Sequence, residues 1–288
     1  DLLSTDQKDR MADRLNLFIT DHVNTILSPL VALSKPDQLF PAEEAEAVAN
    51  SATEKTETPA PDDQPAAEDK TPVQAPAQPR QLSGAAKGLL WQIYEGLGTV
   101  ERRLLTAQLH ETTENDKPLL AKAGLRVGTE TLYLPDMLKP APIALRVLLW
   151  CLYYQTFPSC GPPPEGRVSF PVPDEAKDVA SEFWMAAGYR RLGSRIMRVD
   201  MVERVAALVR AAARDGVFEI SDDMLSLAGV SRIDMSLILK DLGCRKVGER
   251  PSEDPEKPAI AQFERIQKKR APRPQQQQTA QNKNNHKN

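Results

Sequence analysis

Between residues 41 and 83 the chain is built from Ala, Pro, Glu, Asp and Thr, with nine acidic side chains against three basic ones. A stretch of that composition cannot bury enough apolar surface to offset the entropy of ordering it. It reads as a disordered, acidic Pro/Ala-rich linker. Whatever folds must therefore lie on either side: a helical segment over residues 1–40 and a domain over 84–248. The other end of the chain is biased the opposite way. Residues 257–288 hold eight Lys/Arg against Glu264 alone, and residues 249–288 read as a disordered basic tail rich in Gln and Asn. The middle, 84–248, is nearly balanced at 21 basic to 20 acidic. The net charge of −3 hides an acidic linker and a basic tail that cancel.

Three cysteines, Cys151, Cys160 and Cys244, have no CxxC spacing, which argues against a disulfide framework and a zinc site and for a reducing cytoplasm. The longest apolar run, Ile143 to Tyr154, contains Arg146 and is shorter than the ~20 residues of a membrane span, so no membrane partner is expected. The chain opens on Asp1 and runs almost directly into a helix, which suggests a fragment of something longer.

Ser4-Thr5-Asp6-Gln7 has the form of a capping box. Met11, Leu15, Phe18, His22 and Ile26 then mark one face of a helix ending near Pro29, with His22 expected as a packed core side chain. After Ser83, the spacing of Leu90, Ile93, Leu97, Val100 and Leu104 is helical, with Gly96 and Gly98 as a close contact or a break. A short helix follows Asp116, stopped by Gly124, and residues 125–134 alternate like a hairpin. Pro140 to Tyr154 reads as a central buried helix. A Pro-rich loop over 157–173 carries a short strand, residues 178–187 a helix, and 189–199 a hairpin turning at Gly193-Ser194. Asp200 is the expected cap of a helix with Val202, Val205 and Val209 as its core stripe. The last strand lies near Cys244–Val247. The fold class is mainly α: a helical accessory domain with small β-hairpins and a winged-helix-like C-terminal helix pair.

Catalytic signatures are missing. There is no phosphate loop of the GxxxxGK[ST] kind, no GxGxxG after a strand and no GxSxG elbow. The histidines at 22, 110 and 286 lack partners at metal spacing, and Asp222-Asp223 sits where carboxylates favour a helix dipole. No catalytic or metal residue is assigned.

Residues 227–245, LAGVSRIDMSLILKDLGCR, resemble a helix-turn-helix turning at Gly229. Ser221 and Ser231 are its N-caps, and Met224, Ala228, Val230, Met235 and Ile238 are its packing residues. The electrostatics oppose DNA reading, which depends on cations set among phosphates. Arg232 and Lys240 are matched by Asp234 and Asp241, and Ile233 and Leu237 would face the groove. The helix pair is expected as a packing unit.

Three segments, in order, carry a family resemblance: YLPDMLKPAPIALRVLLW (133–150), AAGYRRLGSRIMRVDMVERVAALVR (186–210) and MLSLAGVSRIDMSLILKDLGCR (224–245). LSGAAKGLLWQIYEGLGTVERR (82–103) and the N-terminal helix fit the same region. Together they resemble the C-terminal accessory region of alphaproteobacterial ATP-dependent helicases related to the mitochondrial degradosome RNA helicase. The resemblance implies RecA-like motor domains upstream, which would hold ATP and Mg, and a region here that packs on the motor and contributes contacts to RNA or single-stranded nucleic acid. None of the motor motifs is in this sequence, so no catalytic residue is carried over.

Two clusters are candidate nucleic-acid ligands. The hairpin holds Arg190, Arg191, Arg195 and Arg198, residues suited to bidentate phosphate contacts, although strand alternation sends them to different faces. The tail holds Lys268, Lys269, Arg270 and Arg273. Alternative readings are a helix-turn-helix DNA-binding regulator and a docking module for an RNA-degrading complex, with a ribonuclease as partner.

Overall fold

The computed structural model describes residues 4–40, 82–251 and 259–266. The linker up to residue 81, and Lys268, Lys269, Arg270 and Arg273 in the tail, lie outside the described residues. Helices and three small antiparallel sheets, each of three strands, make up what is described.

Helix α1 (Thr5–Ile26) starts at the Ser4 capping box: the Ser4 hydroxyl accepts from the Gln7 amide at 3.3 Å, and the Gln7 side chain accepts from the Ser4 amide at 2.9 Å. Its apolar stripe is bare. Met11, Leu15 and Phe18 are 59%, 57% and 66% exposed, and His22 is exposed as well, stacked on the Phe18 ring. His22 is thus not a core side chain. Periodicity marks a face but does not supply the surface that covers it. Contact with the body begins at Val23 and Ile26.

Helices α2 (Ser28–Leu33), α3 (Pro36–Leu39), α4 (Gly84–Glu95), α5 (Thr106–Glu111) and α6 (Asp116–Lys122) surround the first core. Leu30 and Leu33 share it with Leu89, Leu90, Ile93 and Leu120, so residues 27–40 belong to the same folded body as those after 82. Asp116 binds that body together. Its carboxylate accepts from the amides and hydroxyls of Ser83 and Thr113, all at 2.8 Å. Helix α4 stops at Gly96, because Leu97 and Gly98 take positive φ values of 53° and 87°, and the chain turns into β1 (Thr99–Glu101). The helical spacing does not continue to Leu104, which is 67% exposed. Strand β1 joins β3 (Thr131–Tyr133), which also pairs with β2 (Arg126–Val127), the hairpin expected from the alternation.

Helix α7 (Pro140–Tyr154) has Pro in its first turn and a left-handed stop at Gln155. It buries one face, Ile143, Arg146, Val147, Trp150 and Cys151, while Leu148, Leu152 and Tyr153 remain 49%, 48% and 81% exposed. The expectation of a helix buried all round is therefore corrected to one buried on a single stripe. Arg146 is wholly enclosed. It donates to the Leu97 carbonyl at 2.6 Å and to the Met137 carbonyl, tying α7 to the two breaks in the chain that precede it. Burial without a carboxylate pulls its pKa down to about 9.

The second core joins α7 to α8 (Ser181–Ala186) and to the sheet of β4 (Ser169–Pro171), β5 (Tyr189–Leu192) and β6 (Arg195–Arg198), around Trp150, Phe170, Phe183, Trp184 and Tyr189. Trp150 and Trp184 are core residues, whereas Trp91 on α4 is 46% exposed.

The third core holds α9 (Val199–Ala212), α10 (Asp222–Ala228), α11 (Arg232–Asp241) and the sheet of β7 (Phe218–Glu219), β8 (Cys244–Arg250) and β9 (Ile260–Arg265). Val202, Val205 and Val209 are its buried stripe; such side chains contribute roughly 1.5–3 kcal/mol each. Asp200 does not cap α9. Arg198 occupies that position, and Asp200 lies in the first turn with its carboxylate on the Arg198 guanidinium. Strand β9 is a further correction, since the sequence reading ends the fold at residue 248. It lies between β7 and β8 with Phe263 buried beside Phe218, ring centroids 6.3 Å apart.

Candidate nucleic-acid interface

The β5–β6 hairpin turns where the sequence places the turn. Leu192 pairs with Arg195, and Gly193 takes a φ of 56°. A Cβ there would come 2.6 Å from the Cβ of Leu237, so the turn is pressed against α11 as well as left-handed. Two acids of α11 hold it: Asp241 accepts from the Gly193 amide at 2.7 Å and Asp234 from the Ser194 hydroxyl at 2.5 Å.

Those contacts bear directly on the helix-turn-helix. Ser221 and Ser231 cap α10 and α11 as expected, and Met224, Ala228, Met235 and Ile238 are buried. But Asp234, Asp241 and Leu237 meet the hairpin, and Arg232 donates to the Ile220 carbonyl at 2.8 Å and to Asp222 at 2.9 Å. The helix pair is engaged in packing.

Each hairpin arginine finds an acceptor within the fold. Arg190 donates to Glu130 at 3.2 Å, both half-buried; Arg191 to the Lys177 carbonyl at 2.8 Å; Arg195 to the Ser169 hydroxyl at 2.9 Å. Arg198 grips Asp200 with two bonds at 2.7 and 2.8 Å. The strand register sets Arg190 with Arg195 on one face of the hairpin and Arg191 with Arg198 on the other.

Beside the hairpin lies a cleft of about 590 Å³, lined by Arg126, Tyr133, Lys139, Arg198, Asp200, Glu203 and Arg204 among others. Its two acids are hydrogen-bonded within the fold. Asp200 belongs to Arg198. Glu203 on α9 reaches the β2–β3 turn and accepts five bonds: from the Thr129, Glu130 and Thr131 amides at 2.7, 2.9 and 2.7 Å and from both threonine hydroxyls at 2.9 Å. Burial pushes both carboxyls up, but the Arg198 cation for Asp200 and the donor ring for Glu203 outweigh it, leaving both below their ordinary values. Both are therefore carboxylates at neutral pH.

The cations are less committed. Lys139, at the start of α7, pairs with the exposed Asp136 at 2.6 Å. Arg126 on β2 and Arg204 on α9 are exposed and make no hydrogen bond or ion pair among the described residues. Four basic side chains against two internally satisfied acids give the cleft a positive field. Tyr133 offers a half-buried ring on its wall, and burial, then Asp200 and Glu203, holds its phenol above the ordinary value. Sequence reasoning missed this group because it looks for runs of charge. Arg126, Lys139 and Arg204 come from three different elements and form no run of charge in the chain.

Comparison with protein-family models, with curated proteins and with solved structures finds no match. No helix among the described residues is long and apolar enough to cross a membrane. Among the described residues no group of three or more His, Cys, Asp or Glu side chains is placed to hold a metal ion.

Proposed function

We propose that this chain is a non-catalytic accessory region of an ATP-dependent helicase, and that it contacts RNA or another single strand through the cleft between β2, α7 and α9. The observation that carries the nucleic-acid part is the convergence of Arg126 and Arg204, neither held by a carboxylate, on a cleft whose two acids are already satisfied. Phosphate contacts of this kind supply most non-specific affinity and make it salt-dependent, and a half-buried tyrosine beside them can stack on a base. The hairpin arginines act on this reading as framework, with Arg198 lining the cleft while fixed by Asp200.

The helicase part rests on the resemblance of residues 82–103, 133–150, 186–210 and 224–245. The bare stripe of α1 supports it: a helix exposed from Thr5 to His22 is marginal in water unless its apolar face meets a partner, and motor domains upstream would provide one. ATP and Mg belong to that motor. A second reading, a protein-docking module for a ribonuclease, is favoured by the exposed aromatics Tyr153, Tyr154 and Phe157, at 81%, 56% and 63%.

The test is fluorescence anisotropy with labelled single-stranded RNA across a salt series. Arg126→Ala and Arg204→Ala should each weaken binding and lower the salt slope by about one phosphate contact. Binding by both variants equal to that of the parent chain overturns the reading.

A further inference from the structure

A second cleft, about 630 Å³, opens between the end of α9 and the β7–β9–β8 sheet. We propose that it is a phosphate-binding site, distinct from the cleft described above and built by Arg210, Arg214 and Arg265. Four arginines line it, Arg210, Arg214, Arg245 and Arg265, against one acid, Glu264. Arg245 and Glu264 face each other across β8 and β9 and are joined by a bond of 2.5 Å, so they cancel. Three guanidinium groups remain, and among the described residues none of them makes an ion pair.

The second observation is an orphaned donor. The Nη1 of Arg210 is shielded from solvent and has no hydrogen-bond acceptor. A buried donor left without an acceptor is uncommon in a folded protein. Arg210 also lines the cleft, and an oxyanion bound there would draw this guanidinium outward to meet it. The negative end of the α9 dipole accounts for a cation in its last turn, where Arg210 sits. It does not account for Arg265, which arrives from a different strand, or for a donor with nothing to donate to.

Three guanidinium groups suit a phosphate better than a carboxylate, because a phosphate offers more oxygens and more negative charge to share among several bidentate forks. The phosphate can come from a polynucleotide backbone or from a small phosphomonoester. The site does not depend on the nucleic-acid contact proposed above, which concerns Arg126 and Arg204.

The experiment uses the full chain and two probes. Inorganic phosphate is titrated while the arginine Nε–H resonances are followed by NMR, and labelled single-stranded RNA is titrated by anisotropy. The double variant Arg214→Glu/Arg265→Glu changes exposed side chains and should fold, with circular dichroism as the check. Saturable shifts of Arg210, Arg214 and Arg265 with phosphate, lost in that variant and kept in Arg126→Glu/Arg204→Glu, are expected. An accompanying loss of roughly tenfold or more in RNA affinity at low salt identifies a strand as the phosphate source. Phosphate shifts without loss of RNA affinity identify a small phosphomonoester and leave the site standing. If phosphate moves none of these resonances, the site is overturned, whatever the RNA result. Loss of RNA binding only in Arg126→Glu/Arg204→Glu would then leave the proposed function intact.

Discussion

The β5–β6 hairpin and the cleft beside it hold arginines of opposite kinds. The hairpin has four within nine residues, and each meets a carboxylate, a carbonyl or a hydroxyl of its own fold. The cleft has Arg126 and Arg204, far apart in sequence, and neither is held. The density of charge along a chain therefore does not measure the charge available to a ligand. What decides is whether the fold has already provided an acceptor, since a guanidinium bridging two elements is framework and one facing solvent beside satisfied acids can still bind.

The largest effect expected on stability comes from the most enclosed arginine. Arg146→Leu removes both donors that hold the Leu97 and Met137 carbonyls and leaves those acceptors inside the protein. A loss of about 3–5 kcal/mol is expected by urea denaturation, the scale for breaking a buried polar pair. A variant as stable as the parent would mean that the buried cation is no better than an apolar side chain here, and the framework class would lose its strongest member.

Next is Glu203→Ala, at about 2–4 kcal/mol, because three backbone amides in the β2–β3 turn lose their acceptor together. The same carboxylate predicts a pH dependence. The carboxyls of Asp116, Asp200 and Glu203 lie below their ordinary values in the folded chain, so each adds stability that is present above the ordinary carboxylate range of about 4 and is lost as pH falls from there through the lowered folded value. Thermal midpoints measured down that range should fall, and fall less steeply in Glu203→Gln. Equal slopes in the two proteins would show that Glu203 carries no such linkage.

How much of this was legible follows the range of the interaction. The caps at Ser4, Ser221 and Ser231 and the turn at Gly193-Ser194 were readable because their partners lie within a few residues. The bounds of α7 were too, but not its half-exposed surface, since an apolar side chain does not reveal whether a neighbour covers it. The same holds for the face of α1 that includes His22. Strand β9 was missed because its only buried side chain is Phe263, and its pairing is supplied by β7 and β8. Of the site, the hairpin arginines were legible as residues, but their acceptors Glu130, Lys177 and Ser169 are long-range, as is the meeting of Arg126 with Arg204.

The sharpest form of the comparison pairs a modest loss with one close to zero. Arg198→Ala breaks a half-buried bidentate pair and leaves Asp200 without its cation, for a cost of about 1–2 kcal/mol. Arg204→Ala, within α9 and lining the same cleft, removes no hydrogen bond within the described fold and should stay within about 0.5 kcal/mol of the parent. In RNA binding the order should reverse, with Arg204→Ala the more harmful, because its guanidinium is the one without an internal acceptor. Denaturation and anisotropy on the same two preparations read both orders at once. If Arg204→Ala unfolds as readily as Arg198→Ala, then Arg204 is framework too, and the cleft keeps only Arg126 as a cation free to meet a phosphate.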